Sequence, residues 1–210
     1  MKTKLQNGLR GALTLLVFAV VFTALMAGTY ALTKDIVFAN EKAAKVALIA
    51  QVLPAGSFEN DILQGAMAQD AAALKQLNSE AGAQIYRAKK AGKTTAVVVE
   101  TIAPDGYSGK IKLLVGVGAD GRVLGVRVIA HKETPGLGDY IDIAKSDWIK
   151  LFDGKSLSAP LANQWKVKKD GGAFDATAGA TISPRAVVKA VKNTLDYVAK
   201  NRANLFENTR

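Results

Sequence analysis

The chain has 210 residues, of which 49% are hydrophobic and 22% charged, enough for one soluble domain and an accessory segment. It has no cysteine and one histidine, His131. That excludes a disulfide, a thiolate-held iron–sulfur cluster and the usual ligands of a zinc site; if the chain moves electrons, an organic cofactor must carry them. The formal net charge of +10 is interleaved with acids and lacks a recognition-helix motif, a basic–aromatic stripe or a dense Lys/Arg run, which argues against nucleic acid.

No residue from Gly11 to Thr33 is charged. As a helix this stretch reaches about 35 Å, enough to cross a hydrocarbon core of ~30 Å. Lys2, Lys4 and Arg10 precede it and no acid does, so the positive-inside rule keeps the N-terminus cytoplasmic and places everything after Lys34 on the other side. A cleavable signal peptide, cut near the small residues Thr29 and Ala31, is the competing reading; the length of the apolar stretch favours a retained anchor.

The apolar spacing of Val46, Ile49 and Val52/Leu53 predicts a helix over Ile36–Leu53, stopped by Pro54, and helical character returns near Ala66–Leu77. The period then changes. Gln84–Ala88, Thr94–Ile102, Lys110–Val117 and Arg122–Ala130 are rich in β-branched residues and separated by Gly, Pro and Asp, as strands are, with a hairpin turn at 119–122. Helical spacing over Ile141–Phe152 and one more strand at Gln164–Lys168 follow. Last comes an amphipathic helix, Pro184–Ala199, with Val187, Val188, Val191, Leu195 and Val198 on one face. Antiparallel strands with helices grouped around them make this an α+β domain behind a single N-terminal membrane helix.

Three segments are candidates for chemistry. In Asp175-Ala-Thr-Ala-Gly-Ala-Thr181-Ile-Ser183-Pro184, small residues including Gly179 and Ala180 leave the Thr181 hydroxyl accessible to a bulky partner. Ser183 reads as an N-cap with Pro184 at the first helical position, and a helix N-terminus suits a phosphate. From spacing alone, a Gly/Ala-rich loop that merely lets the last helix pack tightly explains the segment as well. His131-Lys-Glu133-Thr134-Pro-Gly136-Leu137-Gly-Asp follows a predicted strand, and its glycines can present backbone N–H groups to a planar ring or a phosphate; an ordinary turn is the bland alternative. A lone histidine without a partner His or Cys makes a metal role improbable. Tyr107-Ser108-Gly109 is by itself a turn, whose tyrosine can stack on an aromatic ligand.

Taken together, AGATISPRAV, HKETPGLGD, APDGYSGKIKLLVG and the N-terminal anchor resemble the G subunits of the Rnf (Rsx) electron transport complex, in the same order and over nearly the whole chain. The C subunits of the sodium-translocating NADH:quinone reductase are a more distant likeness. A non-redox anchor or assembly protein and a reversible anion-binding module are the alternatives from other classes. The resemblance implies FMN attached as a phosphoester to the last threonine of the motif, here Thr181, by a flavin transferase that recognises an Asp six positions earlier, here Asp175. The broader family has Ser or Thr where this chain has Ala178, which points to the Rnf branch; the neighbouring Thr177 lacks the preceding Gly-Ala.

The resemblance further implies that Gly179, Ala180 and Ser183 shape the phosphate end and that Glu133, Thr134, Gly136 and Leu137 line the ring. His131 and Tyr107, Ser108 and Gly109 stand nearby, and Lys168 and Lys169 are candidates to offset phosphate charge. It implies residues 1–10 as a cytoplasmic tail, 11–33 as the anchor, 34–80 as a helical lead-in and 81–210 as the FMN-binding domain, periplasmic on a bacterial inner membrane. Its partners would be the other subunits of the complex. Such a chain would act enzymatically only as part of an ion-pumping oxidoreductase, with no catalytic acid or base of its own.

Overall fold

A computed structural model describes residues 2–207, the side chains of Lys2 and Leu5 excepted. Met1, at the head of the expected 1–10 tail, and residues 208–210, at the end of the expected 81–210 domain, lie outside the described residues. The chain divides into two compact units that meet in sequence at Lys45 and Val46. Helix α1 runs without interruption over Lys2–Ala50, so the expected membrane span and the expected Ile36–Leu53 helix are one element. No glycine or proline lies between Thr33 and Ile36 to break it, and Lys34-Asp35 is tolerated within a helix. It ends three residues before Leu53, as Gln51 and Val52 bond the carbonyls three residues back (both 3.2 Å), the tightening usual at a helix C-terminus.

Within the first unit, the helix is long and apolar enough to cross a membrane, and none of its most apolar stretch is buried. Leu15, Phe18, Phe22 and Leu25 are all exposed, leaving apolar surface that lipid can cover. The hydroxyls of Thr14, Thr29 and Thr33 each donate to the carbonyl four residues earlier, at 2.9, 2.8 and 2.8 Å. Polar groups that would otherwise be stranded in hydrocarbon are thus satisfied inside the helix.

The second unit is built on a five-stranded antiparallel meander, β1 Met67–Ala68, β2 Gln84–Lys90, β3 Lys93–Gly106, β4 Gly109–Gly118 and β5 Val123–Ala130, in that spatial order. The β-branched runs separated by Gly, Pro and Asp locate the four long strands, and the α+β class stands. The expected helix at Ala66–Leu77 resolves into β1 and a short α2, Ala71–Gln76, capped by Asp70, whose carboxylate accepts the Ala73 N–H at 2.7 Å. Both faces of the sheet are covered. Val97, Val99, Ile111, Leu113, Val115 and Val117 pack towards α3, Ile182–Lys200, and Tyr86, Ala88, Val98 and Leu114 pack against Ile49, Val52, Leu53 and Ile62. A short α4, Arg202–Phe206, follows.

Two expected elements are corrected. Ile141–Phe152 is not an α-helix but two 3-10 turns, Gly138–Ile141 and Asp147–Phe152. Asp142 accepts the Ala144 N–H at 3.0 Å and Ser146 accepts the Trp148 N–H at 2.9 Å, and these side-chain bonds to backbone interrupt the helix while its apolar residues still reach the core. Gln164–Lys168 is not a strand: two further 3-10 turns, Ala162–Gln164 and Lys168–Asp170, flank it, and Val167 forms an isolated bridge to Phe174. Trp165 and Val167 are buried there in a loop that folds back on itself.

The chain leaving α1 is seated on the sheet through two glycines paired across β4 and β5, Gly116 and Gly125. A Cβ on Gly116 would collide with the Val52 carbonyl oxygen, and one on Gly125 would lie 2.9 Å from the Val52 Cα. Gly116→Ala therefore overpacks this notch, and we expect it to lower stability by about 1–3 kcal/mol. Gly65→Ala, whose Cβ would meet only the Asn60 side-chain nitrogen at 3.8 Å, should be close to neutral. Denaturant unfolding of the detergent-solubilised chain, followed by tryptophan fluorescence, distinguishes the two.

Candidate functional site

The three candidate segments, remote in sequence, converge on one cleft of about 290 Å³. Tyr107 of the β3–β4 hairpin, Glu133, Thr134, Leu137 and Gly138 of the loop after β5, and residues 179–183 at the start of α3 form its walls. Thr181 occupies the N-cap position of α3 in helical conformation, partly exposed, with its side chain making no capping hydrogen bond. The expected assignment of Ser183 as N-cap is corrected: α3 begins at Ile182, and the buried Ser183 hydroxyl instead donates to the Glu133 carboxylate. Pro184 still falls in the first turn, where a missing N–H costs no helical bond.

Glu133 joins the three segments. It is 4% exposed. One carboxylate oxygen accepts the Ser108 N–H at 3.1 Å and the other accepts the Ser183 hydroxyl. Two glycines, Gly106 and Gly138, make room for it. A Cβ on Gly106 would lie 2.8 Å from one carboxylate oxygen, and a Cβ on Gly138 would lie 2.7 Å from the other and 2.6 Å from the Ser183 Oγ. Nothing in their local sequence sets these glycines apart from ordinary turn glycines, because the need for them arises across the fold.

The loop carrying Thr181 is braced from behind. The Tyr140 hydroxyl accepts the Thr177 N–H at 3.0 Å and donates to the Ala180 carbonyl at 3.2 Å, while Trp148 Nε1 donates to the Asp175 carbonyl at 2.6 Å. Tyr140 and Trp148 meet edge to face at 5.7 Å, and Trp148, Phe152 and Phe174 continue the aromatic row into the core. Tyr140 was missed in the sequence. Its one signal was chemical, a phenol whose tip needs a partner when partly buried. Gly179 takes φ +84°, and Ala180 N–H closes a turn onto the Thr177 carbonyl at 3.1 Å. In the facing loop, Leu137 N–H bonds the Thr134 carbonyl at 3.1 Å around Pro135 and Gly136 (φ +75°), the Pro-Gly pattern of a type II turn. That turn leaves Leu137 exposed at the cleft wall.

Other expected site residues lie elsewhere. Ser108, Gly109 and His131 line a neighbouring pocket with Lys110, Lys112 and Lys132, and Gly136 shapes its turn without lining the cleft. His131 Nδ1 accepts the Glu133 N–H at 3.1 Å, and its Nε2 stands 3.9 Å from the Asp142 carboxylate. Asp175 forms a surface ion pair with Lys168 at 2.6 Å, and neither Lys168 nor Lys169 reaches the cleft wall. Arg185, in the first turn of α3, grips Asp170 through two bonds of 2.6 and 2.9 Å. That guanidinium holds the Asp170 carboxyl below its usual range.

Tyr140→Phe removes the two Tyr140 hydrogen bonds to the Thr181 loop while leaving the Trp148 bond and the aromatic row in place. We expect a cost of about 0.5–1.5 kcal/mol and faster hydrogen exchange in the peptide covering residues 175–181, read by mass spectrometry, with exchange in β3 and β4 unchanged.

Residues 106–196, which include every residue lining the cleft, match the FMN-binding domain family, and residues 1–52 match the RnfG N-terminal region. The sequence is 48% identical over 198 residues to the G subunit of the ion-translocating oxidoreductase complex of Pseudomonas aeruginosa, covering 94% of this chain and 92% of the relative. It is 44% identical over 198 residues to the protein of the same name from Vibrio vulnificus, with 94% and 92% covered. For that of Vibrio cholerae the identity is 45% over 197 residues, with 93% and 92% covered. The N-terminal helix and the cleft fall within the matched family regions, and the chain belongs to the family of ion-translocating oxidoreductase complex G subunits.

Proposed function

We propose that this protein is a membrane-anchored, flavin-carrying component of an ion-translocating electron transport complex, and that FMN is joined through its phosphate to the Thr181 hydroxyl. The observation that carries this reading is the placing of Thr181. Its side chain is uncapped, it opens α3, and it lies in a cleft walled by all three candidate segments, inside the residues that match the FMN-binding domain.

The residues present fit such a group. The first-turn N–H groups of Ile182 and Ser183 have no intrahelical partners, and with the α3 dipole they favour a phosphate beside Thr181. Gly179 and Ala180 leave that end uncrowded. Tyr107, Leu137 and Ile182 expose apolar surface at the cleft, as a flat aromatic ring requires. The cleft volume sits at the low end of the ~300–1,000 Å³ usual for small-molecule sites, as suits a ligand held by its tail with part of the ring outside. When bound, FMN supplies the electron-transfer chemistry that the cysteine-free chain lacks. The protein's own task is to hold the tail at Thr181, shape the ring's surroundings through Thr134, Leu137 and Tyr107, and limit water at the cleft.

The remaining assignments follow from this reading. Asp175 is exposed six residues before Thr181, where a flavin transferase can reach it. The basic residues before the span keep the N-terminus in the cytoplasm of a bacterial inner membrane, with the cleft-bearing domain in the periplasm. The other subunits of the complex are the partners that deliver and accept electrons. In domain terms, residues 1–10 form the tail, 11–33 the anchor, 34–80 the lead-in and 81–210 the FMN-binding domain.

Coexpression with a flavin transferase tests the attachment. The tryptic peptide containing Thr181 should gain the mass of FMN less one water, and flavin fluorescence should survive a denaturing gel. Thr181→Ala should abolish both; an unmodified Thr181 under these conditions sinks the covalent reading. Because the chain has no cysteine, orientation can be tested by single-site labelling. A cysteine replacing the exposed Lys93 should react with a membrane-impermeant maleimide in intact spheroplasts, and one replacing Lys4 should react only after lysis.

A further inference from the structure

We infer that Glu133 is a positioning residue: it clasps the β3–β4 hairpin to the start of α3 and so sets where the Thr181 hydroxyl stands. Three observations carry this. Both carboxylate oxygens are engaged, one by the Ser108 N–H and the other by the Ser183 hydroxyl, with the side chain withdrawn from water. The carboxylate is enclosed by Gly106 and Gly138, neither of which has room for a methyl group beside it. Its own backbone is pinned by the Glu133 N–H bond to His131 Nδ1 at 3.1 Å.

Ser183 lies two residues beyond Thr181 in the same first turn, so a bond that fixes Ser183 fixes the rise and rotation of the turn bearing the acceptor hydroxyl. Ser108 follows Tyr107 in the chain, so the other bond fixes the hairpin wall facing that turn. A reactive group misplaced by about 1 Å can cost ~100-fold in rate, so a residue that only positions the turn bearing Thr181 can still decide whether Thr181 is modified. The flavinylation consequence rests on the attachment reading above; the clasp itself does not.

The test uses the full chain in detergent, with the variants Glu133→Ala, Ser183→Ala, their combination, and Glu133→Gln. Hydrogen exchange is measured by mass spectrometry before flavinylation. Glu133→Ala should speed exchange at Ser108 and in residues 182–186, and Ser183→Ala should speed it at the start of α3 alone. The double variant should match Glu133→Ala, because the two groups share one interaction. Glu133→Gln should restore protection: the amide oxygen still accepts from Ser108, and the Ser183 hydroxyl can reverse to accept from the amide nitrogen.

With the transferase present, the initial rate of Thr181 modification should fall at least about tenfold in Glu133→Ala and recover in Glu133→Gln. Wild-type exchange at both segments in Glu133→Ala, additive effects of the two alanines, or failure of glutamine to restore protection would each overturn the inference. Should Glu133→Ala not fold, Ser183→Ala decides, since it removes one hydroxyl and must still loosen the start of α3. If the wild-type chain stays unmodified, the attachment reading fails while the exchange measurements still judge the clasp.

Discussion

The Glu133 carboxylate is withdrawn from solvent and satisfied by one backbone N–H of the β3–β4 hairpin and by the Ser183 hydroxyl. A buried carboxylate without such partners carries a desolvation penalty of several kcal/mol. The hairpin tip, the loop after β5 and the first turn of α3 must therefore come together for any of them to be stable in place. The cleft is the space those three segments leave between them. Gly106 and Gly138 are part of the same constraint, since a side chain at either position would occupy the carboxylate's room.

Around this contact the domain is built to be stiff. The sheet is covered on both faces, by α3 on one side and by the chain leaving α1 on the other, and the paired Gly116 and Gly125 let that chain lie directly on the strands. The aromatic row from Tyr140 to Phe174 backs the loop that presents Thr181 and spends its polar tips on that loop's backbone. A chain with neither thiols nor a histidine cluster has little redox chemistry of its own. Under the proposed reading its contribution to electron transfer is positional, holding a tethered ring against a rigid scaffold and presenting its outer part to a partner.

Much of this was legible in the sequence because it depends on local pattern. Twenty or so uncharged apolar residues specify a helix able to cross a bilayer whatever follows. β-Branched runs bounded by Gly, Pro and Asp located the four long strands, and the face of Val187, Val191, Leu195 and Val198 located α3. Where local pattern was ambiguous, expectation and structure diverged. The apolar spacing of Ile141–Phe152 reported burial correctly but not conformation, because Asp142 and Ser146 divert the backbone into short turns. The strand expected at Gln164–Lys168 likewise gave way to a loop that buries Trp165 and Val167.

The Thr181 motif, the helix beginning beside it and the anchor ahead of it were written in residue order, and the family likeness rests on that order. Only the tertiary structure decided what Ser183 does. A serine before Pro184 has the local form of a cap, yet a buried carboxylate fifty residues away in sequence is the stronger claimant on its hydroxyl. Tyr140, Gly106 and Gly138 owe their importance to partners equally remote in sequence. One-dimensional periodicity encodes which face of an element is buried. It does not encode which polar group across the fold will need a hydrogen bond there, and that demand shaped the cleft.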